Sequence, residues 1–201
     1  MAMRDHERAD VVGARVRPMV ADDVDEALAM FGAVAEEGLW LGTEAGFDAE
    51  RRREAWLAGL DDPAQGSFVG VTDESVIVGM ASVHLTSGGV ADIGMVVADG
   101  WRGRGLGGRL LDALVSAAED LGAHKVALQV WPHNQRAIAL YRSRNFVVEG
   151  RMQRHYRRRN GEIWDAVLMG LPLDETSPGS PHGGTTGWMQ RDQAAGNREE
   201  R

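Results

Sequence analysis

A glycine- and arginine-rich turn at residues 99–111 joins an apolar run to an amphipathic segment, and this turn restricts the possible folds more than any other feature. The run before it, residues 91–98, is typical of a buried strand. After it, apolar residues recur at helical spacing from Leu106 to Leu121. Glycines let a backbone approach a ligand closely, and the first amides of a helix have no partner within the helix. The order strand, glycine loop, helix therefore predicts an anion-binding site.

The hydrophobic pattern on either side of the turn predicts further strands and helices. Strands are predicted at residues 14–20, 67–71, 75–85, 91–98, 124–131, 146–148 and 163–169. Helices are predicted after capping signals at Asp22 or Asp23 and at Asp48, across residues 106–121, and from Asn134 to about Arg144. Residues 67–71 and 75–85 should form a hairpin. The strand at 124–131 follows a helical crossover and should lie parallel to the strand at 91–98.

The composition indicates one globular domain with a segment at each end. Hydrophobic residues make up 43% of the 201 residues and charged residues 26%, which are the proportions of an ordinary folded domain. We expect a flexible N-terminus at residues 1–13 and a folded domain at residues 14–174. Residues 175–201 are rich in serine, threonine, glycine and charged side chains, and we expect them to form a disordered tail.

The net charge of −8 and the absence of cysteine narrow the classes of function. A negative net charge opposes binding to bulk nucleic acid or to an anionic membrane. Without cysteine the chain has no disulfide, no thiolate metal site and no acyl-cysteine intermediate. The histidines lack metal-ligand spacing, and no stretch reaches the ~18 apolar residues that span a bilayer. We therefore expect a cytoplasmic protein that uses no metal.

Two phosphate-binding motifs compete for the turn. Gly103, Gly105 and Gly108 match G-x-G-x-x-G, the pattern of dinucleotide-binding domains. That pattern also needs an acidic residue about 20 positions later to hold the ribose. The strand at that place ends in Gln129-Val-Trp131, which contains no carboxylate. A Walker loop is excluded because no Gly-Lys-Ser/Thr follows the glycines.

The competing pattern is R-x-x-G-x-G, filled by Arg102, Gly105 and Gly107. With it, about residues 14–172 resemble the GNAT acyltransferase superfamily. The other shared features are the first strand and helix, the strand from Ile93 to Val97, Asn134 with Ala139-Leu-Tyr141, and Asn145-Phe146. The family usually has glycine where Asn145 stands, and asparagine also tolerates a left-handed backbone.

The resemblance implies an α/β (α+β) fold of the GNAT type. Its mixed central sheet would have about seven strands, mostly antiparallel, with one parallel pair splayed at the CoA site. About four helices would flank the sheet.

By this resemblance the co-substrate is acetyl-CoA, and the turn holds its pyrophosphate. The contacts would come from the side chains of Arg102 and Arg104 and from the backbone amides of Gly103, Arg104, Gly105, Leu106, Gly107 and Gly108. Amides at a helix start and flanking arginines independently suit a dianionic group. The strand residues Met95, Val96 and Val97 would present backbone groups to the pantetheine arm. The Val97 amide would donate to the acetyl carbonyl.

A second group of candidate residues lies on the helix that Asn134 begins. Asn134, Ala137 and Tyr141 share one helical face and can address the same elongated ligand. By the resemblance, Tyr141 protonates the departing thiolate. The ordinary pKa of a phenol, ~10, lies above that of a thiol, ~8.5, so the phenol is protonated at neutral pH. The candidate bases are Asp92 and Glu37, with an ordered water chain as the alternative.

The resemblance implies an N-acetyltransferase that moves the acetyl group of acetyl-CoA directly to the primary amine of a small molecule, such as an amino acid, in a ternary complex. Two alternatives are acetylation of a protein N-terminus or lysine, and a non-catalytic CoA-binding regulatory module. The five arginines from Arg151 to Arg159 form either a solvated face or an acceptor-binding loop. A homodimer paired through the C-terminal strand is a further expectation, and the identity of the acceptor stays open.

Overall fold

The computed structural model describes residues 13–173, which form one mixed sheet with helices on both faces. The strands are β1 (Ala14–Pro18), β2 (Gln65–Thr72), β3 (Ile77–Leu85), β4 (Val90–Val97), β5 (Lys125–Val130), β6 (Val147–Arg157) and β7 (Ile163–Pro172). The helices are α1 (Val24–Glu36), α2 (Ala49–Leu60), α3 (Leu106–Asp120) and α4 (Gln135–Arg142). Short 3-10 turns precede α1 at Ala21–Asp23 and follow β4 at Asp99–Trp101. The predicted flexible N-terminus, except Gly13, and the predicted tail lie outside the described residues.

The seven strands are arranged in the order β1-β2-β3-β4-β5-β7-β6. Every neighbouring pair is antiparallel except β4 and β5, which are parallel. The crossover between these two strands is α3, as a parallel connection requires. The predicted mixed sheet with one parallel pair and four helices is therefore confirmed.

The parallel pair is joined over a short length. Val90, Ala91 and Asp92 pair with residues 125–127 of β5, and the pairing ends there. On its other side β4 pairs with β3 from Ala91 through Val97. The part of β4 after Asp92 therefore has a neighbour on one side alone, and a gap opens between β4 and β5.

Helix α3 covers one face of the sheet, and α1 and α2 cover the other. The large side chains of α3 that are completely buried are Leu106, Leu110, Leu111 and Leu114, and burial of each stabilises the fold by about 2 kcal/mol. Glycine in β3 allows the helix to lie this close, since a Cβ at Gly79 would come 3.1 Å from Leu110 Cδ1. On the opposite face, Phe31 of α1 packs edge-on against Phe47 and Trp56.

One prediction about the C-terminal strands, the length of the strand at residues 146–148, was wrong. The strand predicted at residues 146–148 is the first part of β6, which runs for 11 residues and includes most of the arginine cluster. Its side chains are mostly exposed because it is an edge strand, so it lacks the apolar alternation that identifies a half-buried strand. The C-terminal strand β7 lies between β5 and β6. Within residues 13–173 this strand has no free edge, and the homodimer itself stays a prediction.

None of the helices in residues 13–173 combines the length and the apolar character needed to cross a bilayer.

Candidate active site

A cavity of about 300 Å³ lies where β4 and β5 separate. Residues 93–96 of β4 and residues 129–131, at the end of β5 and just after it, form parts of its wall. Helices α1 and α2 contribute Phe31, Arg52 and Trp56, and Asn134, the N-cap of α4, and Tyr141, near the end of that helix, contribute as well. The gap in the sheet is thus continuous with a pocket enclosed by side chains from both halves of the molecule.

The main chain of Val97 faces this gap. Ala98 donates its N–H to Val78 O at 3.0 Å, so Ala98 and Val78 are a hydrogen-bonded pair of the antiparallel ladder. Val97 and Gly79 are the adjacent pair and are therefore a non-hydrogen-bonded pair. The N–H and C=O groups of a non-hydrogen-bonded pair point away from the partner strand. The Val97 carbonyl accepts from Arg102 Nε at 2.9 Å. The Val97 N–H points into the same gap, as the acetyl-carbonyl prediction requires.

The glycine-rich turn ends at the start of α3 with a row of free amides. Gly103 and Gly105 adopt φ values of 79° and 90°, the left-handed region that favours glycine. Within the described residues, no acceptor receives the N–H groups of residues 103–107. The Gly108 N–H, predicted to join them, donates to Gly105 O at 3.0 Å. Five adjacent unpaired donors at a helix N-terminus are suited to a phosphate or pyrophosphate group.

The arginines around the turn have different roles. Arg104 is exposed and lies over the Trp101 ring, with its guanidinium carbon 5.2 Å from the ring centroid. Arg136 of α4 lies beside Gly103, where a Cβ would come 3.4 Å from Arg136 Nη1. Arg102 is held by Glu37, with Nη2 to Oε1 at 2.5 Å, and by Asp99 at 3.2 Å. Arg104 and Arg136 are therefore the cations beside the turn that are available to a ligand, and no motif in the sequence indicated Arg136.

Asn134 and Tyr141 meet at the cavity as their spacing predicts. Asn134 Oδ1 accepts from Ala137 N at 3.2 Å and caps α4, and both Asn134 and Tyr141 line the cavity. The Tyr141 side chain is 8% exposed, and its burial raises the pKa of the phenol to about 12. Tyr141 therefore retains its proton throughout the neutral range and has one to donate.

The two candidate carboxylate bases occupy different surroundings. Glu37 accepts from both Arg102 Nη atoms and from Trp40 Nε1 at 2.6 Å. The Arg102 guanidinium holds the pKa of Glu37 below its usual value. Asp92 is exposed on β4, on the side of the strand that also carries Gly94 and Val96, and it is not among the residues that line the cavity. Neither carboxylate is among the residues that line the cavity with Tyr141.

A cluster of aromatic rings closes the cavity on the side of β5, β6 and β7. Trp131 packs edge-on against Tyr156 and Trp164, with centroid distances of 5.0 and 5.3 Å. His133 contacts the Trp164 ring and also bonds to Leu39 O at 2.8 Å. This cluster joins β5 to the loop that follows α1.

Arg158 holds that loop in place, and the sequence analysis did not single it out. It is 4% exposed, and its guanidinium carbon lies 4.4 Å from the Trp164 ring centroid. Its Nη atoms donate to three carbonyls of the loop, those of Gly38, Leu41 and Gly42, at 3.0 to 3.3 Å. Its Nε lies 3.4 Å from Glu44. The only sequence signal was its place in an arginine run, which gives no indication of burial.

Three of the other four arginines of the run make contacts as well. Arg151 pairs with Asp165 at 2.7 Å, and Asp165 also accepts from Arg154 N at 2.6 Å. Arg159 donates its backbone N–H to Glu44. The run is therefore neither a plain solvated face nor a free basic patch, because part of it fastens the loop between α1 and α2.

Comparisons with known proteins agree with this geometry. Residues 33–146 match the model of the Acetyltransferase (GNAT) family. The chain is similar to the L-amino acid N-acetyltransferase AaaT of Escherichia coli, with 33% identity over 40% of this chain and 49% of that protein. It is also 33% identical to the L-methionine sulfoximine/L-methionine sulfone acetyltransferase of Pseudomonas aeruginosa, over 44% of this chain and 51% of the relative. The chain spans about half the length of these curated relatives.

Solved structures show the same fold over nearly their whole length. A phosphinothricin acetyltransferase from Sinorhizobium meliloti, in complex with acetyl-CoA, superposes with a TM-score of 0.74 at 20% identity. The match covers 86% of this chain and 95% of that one. A putative acetyltransferase from Salmonella typhimurium, solved with its cofactor acetyl-CoA, has a TM-score of 0.73 at 22% identity, covering 83% and 98%.

Proposed function

This chain belongs to the GNAT family of acetyltransferases, and from that premise we propose that it moves the acetyl group of acetyl-CoA to the primary amine of an amino acid or a similar small molecule. The observation that carries the proposal is the row of five unpaired amides at residues 103–107, placed beside the gap that exposes the Val97 N–H. An anion site and a main-chain donor in one groove suit an acyl carrier that has a phosphate group and a thioester.

The turn fits the pyrophosphate of CoA. Positive φ at Gly103 and Gly105 turns the amides outward, and Arg104 and Arg136 lie close enough to share the anionic charge. The helix dipole of α3 adds a favourable field at the same place. We assign pyrophosphate binding to residues 103–107 and the two arginines, and main-chain contacts with the pantetheine arm to Met95, Val96 and Val97. We also assign Asn134 and Ala137 to the binding of acetyl-CoA.

Bound acetyl-CoA supplies an activated acyl group as a thioester. The Val97 N–H is directed where it can donate to the acyl carbonyl oxygen and stabilise the negative charge that develops there, an effect worth about 3 kcal/mol in comparable sites. Tyr141 holds a proton that it can give to the departing sulfur. With no covalent enzyme intermediate, the amine attacks the acyl carbon directly in a ternary complex.

The amine must lose its ammonium proton before attack. Asp92, Glu37 and a water chain are the candidate acceptors of this proton. The Arg102 bonds make Glu37 a weak base, because a lowered pKa keeps the carboxylate ionised and reduces its affinity for a proton. Asp92 is exposed and does not line the cavity. We therefore place the proton path through water, with these carboxylates at its outer end.

Two facts support an amino acid as the acceptor. The relatives named above act on L-amino acids and on methionine derivatives. The acceptor side of the cavity is lined by Phe31, Trp40, Trp56 and Trp131, and rings of this kind bury a small side chain while excluding water.

Isothermal titration with acetyl-CoA tests the donor half of the proposal. We expect saturable binding of acetyl-CoA that free CoA displaces. A titration that shows no binding at millimolar acetyl-CoA would contradict the proposal. Thiol release with free amino acids, polyamines and short peptides tests the acceptor half. We expect turnover with amino acids. Turnover with peptides alone would move the assignment to protein acetylation, and binding without any turnover would indicate a regulatory CoA-binding module.

A further inference from the structure

Arg52 is a cation in the wall of the cavity. It lies on α2, and its guanidinium carbon is 4.8 Å from the Phe31 ring centroid and 5.1 Å from that of Phe47. The two rings hold the guanidinium against α1 and the loop between α1 and α2. Arg52 lines the same cavity as Phe31, Trp56, Asn134 and Tyr141.

The guanidinium of Arg52 has no anionic partner among residues 13–173. It makes one hydrogen bond, from Nη2 to Thr43 Oγ1 at 3.1 Å. Its Nε is buried without an acceptor, and burial lowers the pKa of the side chain. An arginine carries five N–H donors in a planar fork, so most of its hydrogen-bonding capacity is unused. A partly desolvated charge in this state is unfavourable until an anion joins it.

The nearby carboxylates do not fill this role because each has another partner. Glu37 pairs with Arg102, and Glu44 pairs with Arg158. Asp48 caps α2 by accepting from Arg51 N at 3.0 Å. These are the three carboxylates of the loop between α1 and α2.

The next arginine along α2 shows what an ordinary surface pairing looks like in this region. Arg53 bonds to Asp25 of α1 at 2.6 Å. Arg52 therefore differs from its neighbour in having aromatic rings on its faces and no acid at its edge.

We propose that Arg52 binds the carboxylate of the acceptor, so that the substrates of this site are amino acids with a free carboxylate. This inference rests on the proposed function and narrows it. A carboxylate matches the two-pronged geometry of a guanidinium and supplies the missing counter-charge. An amine that lacks a carboxylate leaves the partly buried Arg52 unpaired, and a site discriminates strongly against a ligand that leaves its polar groups unsatisfied.

The test compares acids with their own amides. Acetyl-CoA-dependent thiol release is measured for L-methionine, L-phenylalanine and L-serine and for the amide of each, with wild-type protein, Arg52→Met and Arg52→Lys. The quantity of interest is the ratio of kcat/KM for the acid to kcat/KM for the amide. Dividing the wild-type ratio by the variant ratio cancels the different basicities of the two amines.

We expect Arg52→Met to reduce the acid-to-amide ratio by about 10- to 100-fold, through a higher KM for the acid. Turnover of the amide and the affinity for acetyl-CoA should remain close to those of the wild type. Arg52→Lys keeps the positive charge but lacks the planar guanidinium, so it should retain part of the preference for the acid over the amide. Arg51→Met is the matched control, because Arg51 precedes Arg52 on the same helix and has an exposed side chain.

Three results would contradict the proposal. Equal losses for acid and amide in Arg52→Met would show that Arg52 only supports the fold of the loop. A wild-type enzyme that acetylates amides as efficiently as acids, with no change in Arg52→Met, would remove the carboxylate subsite and leave the N-acetyltransferase assignment intact. Acetyl-CoA binding without acetylation of any acid or amide would overturn the proposed function and this inference with it.

Discussion

The environment of Tyr141 explains at the residue scale how a phenol could serve as an acid in this site. Its ring is buried beside Phe146, with centroids 5.8 Å apart, and its hydroxyl has no partner among the described side chains. Burial without a compensating charge disfavours the phenolate, which is why the pKa rises to about 12. The group is therefore protonated over the whole range in which a thiolate needs a proton.

Tyr141→Phe should lower kcat by about 100-fold, because it removes general acid catalysis and leaves the ring in place. The Kd for acetyl-CoA should stay within a few-fold of the wild-type value. In the wild type, the protonated phenol is the active form and its pKa is about 12, so Tyr141 should cause no loss of rate between pH 7 and 10. Steady-state kinetics over this range and titration calorimetry provide the measurements.

Tyr156→Phe is the control, since Tyr156 is the other tyrosine of the chain and also lines the cavity. Its hydroxyl bonds to Gln129, so its loss should affect kcat much less. An unchanged kcat in Tyr141→Phe would remove Tyr141 from the acid role.

The site residues that could be predicted from the sequence are close together in the chain, whereas those that could not be predicted depend on contacts between distant segments. Asn134 and Tyr141 lie seven positions apart on one helix, so local periodicity brings them together. Arg52 and Arg158 depend on contacts between distant segments, such as the bond from Arg158 to Leu41 O across a separation of 117 residues. Arginines are mostly exposed in folded proteins, and nothing in a run of charges shows which one the fold will bury.

At the scale of elements, the start of α3 depends on a backbone that L residues rarely adopt. Gly105 is the N-cap residue at φ 90° and ψ −13°. No side chain caps the helix here, which leaves its first amides free for a ligand. A side-chain cap at this place would fill the anion site from within.

Gly105→Ala should therefore destabilise the fold by about 1 to 2 kcal/mol, the cost of a left-handed residue with a Cβ, and should weaken acetyl-CoA binding by distorting the turn. Gly100→Ala is the matched control. Gly100 lies in the preceding 3-10 turn, has no positive φ, and a Cβ there would meet nothing within 4 Å. Urea unfolding and titration calorimetry would measure both effects. Equal behaviour of the two variants would contradict this account of the turn.

Most elements could be read from the sequence because their apolar residues repeat with a clear period. The predicted helix at residues 106–121 and the observed α3, Leu106–Asp120, differ by one residue, because four leucines mark its buried face. The strand at 146–148 was predicted too short because β6 lies at the sheet edge with both faces largely exposed. The periodicity of apolar residues depends on which side chains are buried. It therefore does not predict an edge strand such as β6, which is held mainly by main-chain hydrogen bonds to one neighbouring strand.

At the scale of the whole molecule, the two parts of the sheet are joined weakly by strand pairing and strongly by side chains. Strands β4 and β5 share three paired positions. Arg158, from the turn after β6, bonds to three carbonyls of the loop after α1 and pairs with Glu44. This side chain thus closes the acceptor side of the cavity from across the gap.

Arg158→Gln should destabilise the protein by about 3 kcal/mol, because buried carbonyls and Glu44 lose their partner. It should also raise the KM for the acceptor amine more than it changes the Kd for acetyl-CoA, since the loop carries Trp40 and Leu41 of the acceptor side. Arg157→Gln, at the adjacent exposed position, is the control. Thermal unfolding and steady-state kinetics measure these effects, and a stable variant with an unaltered KM would refute the tethering role of Arg158.

The gap between β4 and β5 also bears on how such a protein can diverge. The groups it exposes belong to the main chain, and every residue except proline carries the same N–H. Side chains at positions such as Phe31, Trp40 and Arg52 can therefore be exchanged for others without rebuilding the main-chain groove that we propose for the acyl donor. A solved relative with only 20% identity keeps the fold at a TM-score of 0.74. In a site built this way, mutations can change which acceptor binds, while the main-chain groups proposed to bind the donor stay the same.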